Sequence, residues 1–234
     1  MTLSKKLHIS LSDEGLTLST FHLLEKKEMK FDWRNNENFS LILENYFQLH
    51  LVDLQEIEVN IINDKFLLTP KEYFSNLFIS DFLEKAIGGK NSESCEIHHQ
   101  EIEKEEAIFS FFIQSQWKDY IAMKFPLSTF KYSHFLGNQL IQTSKFLRNQ
   151  MHVWIEKELT FVILRKNGKL HIANSYKYTN AIELAYYLHA IRESFDFIWT
   201  NDTFSIQGEK LFESTFFDEL KSLSIPLQNI HEQA

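Results

Sequence analysis

The densest run of potentially reactive side chains lies between residues 95 and 106. There Cys95, His98 and His99 precede Glu101, Glu103, Glu105 and Glu106. Cys-x-x-His is a spacing that metals accept, but a closed site needs a second pair of ligands, and none follows nearby. On a strand, Cys95, Ile97 and His99 would share one face and His98 would take the other. A solvated strand edge with a charge run accounts for the segment, so no metal site is expected. His8, His152 and His171 sit in strand patterns opposite the aliphatic residues, where imidazoles bond to neighbours. No Ser-His-Asp set can be assembled, and no catalytic residue is expected. Tyr176 and Tyr178 fall at a strand end beside polar residues and are the candidates for an exposed partner patch. Tyr187 and Phe195 are expected to pack a helix onto a sheet. Asp13-Glu14-Gly15 is an acid-x-Gly turn whose glycine is free to take positive φ.

The elements that would hold these residues repeat. Leu7, Ile9 and Leu11 alternate with His8, Ser10 and Ser12, the period of a half-buried strand. After the Asp13-Glu14-Gly15 turn, Leu16 and Leu18 begin a second strand, and a third passes through Met29 and Phe31. Phe39, Ile42, Leu43 and Tyr46 share one helical face. Ile57, Val59 and Ile61 return to strand spacing. Thr69-Pro70-Lys71-Glu72 has the form of a helix start, continued by Phe74, Leu77 and Phe78. The same order restarts at Met151. His152 to Ile155, Leu159 to Leu164 and a stretch through Leu170 and Ile172 read as strands, with Asn167-Gly168 as a type I′ hairpin turn. Asn180 and Glu183 form a capping pair before a stripe of Leu184, Tyr187, Leu188, Ile191 and Phe195. Phe204 and Ile206 lead to Gly208, then Phe212, Phe216, Leu220 and Leu223 mark a helix. Ile225-Pro226-Leu227 leads into a last short strand.

Both halves therefore run strand-strand-strand-helix-strand-helix. Leu7-His8-Ile9 matches Met151-His152-Val153, and Leu16-Thr17-Leu18 matches Leu159-Thr160-Phe161. A duplicated unit sets the fold, so it is sought first. Three antiparallel strands followed by helix crossovers make a mixed sheet covered by helices. The expected class is α/β, with two tandem ribonuclease H-like lobes in the actin-like ATPase architecture. Residues 1–150 would form the first lobe, with an insertion around 88–130, and 151–234 the second. Gly88 to Ser94 reads as a loop.

Composition narrows the partners. The 234 residues carry 24 Lys and Arg against 32 Asp and Glu, a formal charge of −8. That balance disfavours nucleic acid as a partner. Apolar residues make up 44% and include 22 Phe, enough for a substantial core. Cys95 is the only cysteine, so no intrachain disulfide forms. No signal-peptide pattern opens the chain and no apolar run is long enough to span a bilayer, so a cytoplasmic location is expected.

The segment Leu170-His171-Ile172-Ala173-Asn174-Ser175-Tyr176-Lys177-Tyr178, the pair Tyr186-Tyr187 and the strand ending at Gly208 resemble a Bacteroidetes family, domain of unknown function 3822. The resemblance implies an actin-like ATPase fold with no established activity. The layout is also similar to actin-like components of type IV pilus and type II secretion assemblies. A fold of this kind carries a phosphate loop at the first hairpin of each half, with acidic residues positioning Mg²⁺. Asp13 and Gly15 would belong to the first loop, but Leu16 stands where Ser or Thr would follow. Glu156-Lys157-Glu158 replaces the second loop and lacks glycine. Gly208-Glu209 stands where a Gly-Gly pair would meet adenosine. Asp13, Gly15 and Gly208 are thus the candidates for a residual nucleotide site, with ATP and Mg²⁺ the only cofactors to consider. A ribonuclease H-type nuclease would need converging carboxylates where Ser10, Ser12 and Trp154 stand. The leading expectation is a catalytically degenerate actin-like protein that binds a protein partner or its own copy. The alternative is an ATP-binding protein or ATPase switch.

Overall fold

The computed structural model describes residues 6–12, 15–22, 25–32, 56–87, 95–143 and 148–227. Asp13 and Glu14, the helix expected through Phe39 and Tyr46, the loop from Gly88 to Ser94 and a strand after Leu227 lie outside them. The chain divides into two compact units, residues 1–138 and 139–234. The division falls nearer the N-terminus than the 150/151 boundary expected above.

The first unit is built on a five-stranded sheet. Its strands are β1 (Lys6–Ser12), β2 (Gly15–His22), β3 (Glu25–Asp32), β4 (Glu56–Ile62) and β8 (Thr129–His134), in the order β3-β2-β1-β4-β8. β1, β2 and β3 pair antiparallel, whereas β4 lies parallel to both β1 and β8. The period-two pattern explains the burial. Leu7, Ile9 and Leu11 are buried and lie opposite buried Ile57, Val59 and Ile61, so six aliphatic side chains line one face.

A second layer is inserted between β4 and β8. It comprises β5 (Phe66–Pro70), a 3-10 turn (Lys71–Tyr73), α1 (Asn76–Ile87), β6 (Cys95–Ile102) and β7 (Ala107–Gln114). The insertion therefore begins well before residue 88. Its antiparallel sheet has the order β5-β7-β6, and the run Phe109 to Ile113, apolar but for Ser110, fits the central strand, buried on both faces. On one face Phe112 packs with Ile79 of α1, Leu67, Phe74, Cys95 and Ile97. On the other, Phe109 and Phe111 lie 4.9 and 5.5 Å from the ring of His134 on β8. α2 (Ser115–Lys124) leads to β8, and α3 (Phe135–Gln142) follows it.

The expected helix start at Thr69-Pro70 is a strand end instead. Thr69 and Pro70 pair with Ile108 and Ala107, and the following turn has no side-chain cap. A proline without an N–H is tolerated because β5 is an edge strand and Pro70 its last residue. Pairing with β7, distant in sequence, outweighs the local capping signal.

The second unit repeats the path. β9 (Gln150–Glu156), β10 (Leu159–Lys166), β11 (Lys169–Lys177) and β12 (Thr203–Gln207) form a sheet in the order β11-β10-β9-β12. The first three are antiparallel and β12 is parallel to β9, as β4 is to β1. Asn167 and Gly168 both have positive φ, 52° and 76°, as a type I′ turn demands. α4 (Ala181–Ser194) starts at Asn180, whose side chain accepts from the Glu183 N–H at 2.9 Å. α4 and α5 (Ser214–Ser222) cover one sheet face. Leu184, Leu188, Ile191, Phe216 and Leu220 pack there with Met151, Val153, Ile155, Val162 and Leu164.

Candidate functional site

Of the residual nucleotide positions, Asp13 is outside the described residues and Gly15 opens β2 opposite Asp32. In the second unit the matching turn is a two-residue loop, Lys157-Glu158, closed by the Glu156–Leu159 pair. Its backbone is already engaged. The Tyr178 hydroxyl donates to the Lys157 carbonyl, and the Tyr178 N–H donates to the Glu158 carbonyl at 3.0 Å. The turn has no glycine, and it carries Glu156, Lys157 and Glu158, with the Lys210 ammonium 3.4 Å from the Lys157 carbonyl.

Gly208 has a packing reason of its own. At φ 144° it follows β12, and a Cβ there would lie 2.2 Å from the Ile155 carbonyl oxygen. Two parallel strand ends, β9 and β12, approach so closely that only hydrogen fits.

Tyr178 is not part of an exposed patch. It is 1% exposed, packs 5.9 Å from the Phe216 ring and carries the Lys210 ammonium 4.6 Å above its face. It pins the β9–β10 turn to α5, because a buried phenol must find an acceptor. Tyr176 is half-buried and stacks on Tyr187 at 5.2 Å. The Tyr187 hydroxyl donates to Glu183, and that bond raises its pKa. Tyr186 and Ile182, one turn apart on α4, are exposed. No local signal in the sequence marks Ile182 as exposed, since it follows buried Ala181 in the first turn of α4.

Among the described residues, an exposed apolar stripe lies on the inserted layer. α1 buries Ile79 against the three-stranded sheet, but Leu77, Phe78 and Phe82 are 83%, 62% and 60% exposed, and Tyr73 before it is 72% exposed. The helical run was legible in the sequence, but its outward face was not, since α1 is apolar on both sides. The end at Tyr73 is acidic. Lys71 pairs with Glu101, which raises the lysine pKa, and Glu103 and Glu106 add to the effect.

Strand alternation separates the metal-like residues. His99 turns toward α1, bonds Ser110 at 2.9 Å and meets Phe74 edge-on. His98 faces Tyr132 at 4.8 Å, near Glu96, which pairs with Lys118. Among the described residues no three His, Cys, Asp or Glu side chains gather closely enough to hold a metal.

The carboxyl ends of β4 and β8, where parallel strands commonly open a ligand crevice, are closed by amides. Asn138 donates to Asn60 at 3.1 Å and to Ser133 at 2.9 Å, and accepts from Gln100 at 2.9 Å. Buried His134 donates through Nε2 to the Asn63 carbonyl at 3.1 Å and accepts the Leu136 N–H on Nδ1 at 3.1 Å. Burial pushes its pKa down to about 3. This network joins the inserted layer to the sheet, and its groups satisfy one another.

Comparison with known proteins fits this architecture. No curated protein matches the chain by sequence. A solved protein from Bacteroides thetaiotaomicron, with an actin-like ATPase fold and unknown function, superposes with a TM-score of 0.73 at 17% identity, over 97% of this chain and 91% of that one. The PilM–PilN type IV pilus biogenesis complex gives 0.60 at 10% identity, over 96% and 87%. The fold is thus the actin-like ATPase fold, with ribonuclease H-like units. The model of the family described as protein of unknown function DUF3822 matches residues 2–223, and the chain belongs to that family.

Proposed function

We propose that this protein is an actin-like binding module that engages a protein partner and has lost nucleotide turnover. The observation that carries the reading is the exposed stripe of Tyr73, Leu77, Phe78 and Phe82, because contiguous apolar side chains of this size on a surface mark interaction sites. The similarity to a pilus protein that works as a complex with PilN supports it, as does the engaged Lys157-Glu158 turn. The reading puts the protein in the cytoplasm, where Cys95 stays a thiol. Among the described residues no helix is long and apolar enough to cross a membrane.

A photo-crosslinking amino acid at Phe82 in the full chain, expressed in the native host, tests the reading. A discrete crosslinked partner is expected there and not from a control at Glu213, which is exposed in the second unit. Absence of any discrete product at Phe82 refutes it. A second reading keeps an ATP-dependent switch using Asp13, Gly15 and Gly208 with Mg²⁺. MgATP titration decides it.

A further inference from the structure

We infer that the stripe on α1 receives an amphipathic helix of another protein that carries Lys or Arg in its last turn and lies antiparallel to α1. The inference rests on the binding reading above and names the chemistry of the partner. Phe78 and Phe82 are one helical turn apart on α1, and Leu77 lies beside Phe78 with exposed Asp81 one turn after it, so the exposed face is an apolar ridge of helix–helix spacing with one carboxylate beside it. Its amino-terminal end is charged asymmetrically. Glu72, Glu101, Glu103, Glu105 and Glu106 gather around the 3-10 turn, against Lys71 and Lys104. Lys71 pairs with Glu101, and its N–H donates to the Glu106 carbonyl at 2.8 Å, which brings the acidic β6–β7 turn beside it. Further along, α1 carries Asp81 and Glu84 against Lys85, so the excess of carboxylates is greatest at the 3-10 turn.

An incoming helix gains most by matching that asymmetry. Cations are favoured in the last turn of any helix, where the carbonyl dipoles point. Antiparallel packing lays that turn over the acidic cluster and opposes the two dipoles. A second copy of this chain is the poorer occupant. Its own stripe would bring only Lys85 to the acidic end, on a molecule of net charge −8.

The test uses the full chain and a fluorescent synthetic helix of about 18 residues, long enough to hold a helical face, with Leu on one face and several Lys in its last turn. Saturable binding by anisotropy is expected, weakened by added salt. Phe78→Ser with Phe82→Ser weakens it at least about tenfold, and Glu103→Lys with Glu105→Lys weakens it comparably. Leu77→Glu, at a more exposed position, gives the same loss and serves should the Phe variants fold poorly. The inference is overturned if a peptide with Glu in place of Lys binds equally, if the acidic-cluster variants bind normally, or if no peptide binds. It is likewise overturned if sedimentation shows a dimer that Phe82→Ser dissociates. A discrete crosslink at Phe82 alongside any of these results leaves the binding reading standing and removes only the basic helix.

Discussion

At the scale of single residues, Gly208 separates two roles that a glycine can have. If it serves a nucleotide, Gly208→Ala lowers ligand affinity and leaves the fold intact. The close approach to Ile155 says otherwise, since a methyl group would overlap a carbonyl oxygen that the β9 ladder holds in place. Gly208→Ala should destabilise the protein by about 3 kcal/mol or more, read as a lowered melting temperature. A variant with unchanged melting would contradict the packing argument. Two histidines make an independent prediction. Burial lowers the pKa of His134 to about 3, and burial together with nearby Arg165 lowers that of His152 to about 4, from an ordinary 6.5. The native state keeps both neutral while the unfolded chain protonates them. Their contribution to stability is therefore complete above pH 6.5 and is lost as the pH falls toward 4 and 3. Urea unfolding should show stability declining through that window. His152→Asn, which ends the bond to Ser205, should make the decline shallower by up to one proton. An unchanged slope would mean that His152 is already charged in the native state.

At the scale of elements, the sequence is legible where a signal is local. Asn180 caps α4 as its spacing with Glu183 suggests, and Glu183 in turn accepts from the Thr179 N–H at 2.9 Å. Asn180→Ala should cost about 1 kcal/mol in chemical denaturation, and a loss well under half of that would show the cap to be idle. The alternation of Leu7, Ile9 and Leu11, and the Asn167-Gly168 turn, were readable for the same reason. Thr69-Pro70 misleads because its capping pattern is also local, whereas pairing with β7 depends on residues nearly forty positions away. Tyr178 misleads similarly. Nothing in its neighbours announces that Lys157 and Phe216 enclose it. The stripe on α1 is not legible as a surface, because Leu77, Phe78, Ile79 and Phe82 put apolar residues on more than one side of the helix and only the inserted sheet decides which of them is covered.

At the scale of the whole molecule, the sheet framework repeats, while the turn between β9 and β10 lacks the glycine of a phosphate loop. Strand order and direction recur between β1 to β4 and β9 to β12, so the duplicated framework is retained. What an ATPase adds to that framework is a pair of glycine-rich turns whose free amides receive phosphates. Here the second turn carries two carboxylates, and its carbonyls accept from Tyr178 and lie 3.4 Å from Lys210. Moving this turn to admit phosphate would break the Tyr178 contacts that join it to α5, a cost of about 1 kcal/mol or more per buried hydrogen bond. MgATP titrated into the full chain should therefore show no saturable heat up to about 1 mM, a binding free energy weaker than about −4 kcal/mol, and no phosphate release. Asp13→Ala should change neither result. Micromolar affinity with turnover that disappears in Asp13→Ala would instead mean that the first hairpin alone holds the phosphates, and the binding-module reading would give way to the switch.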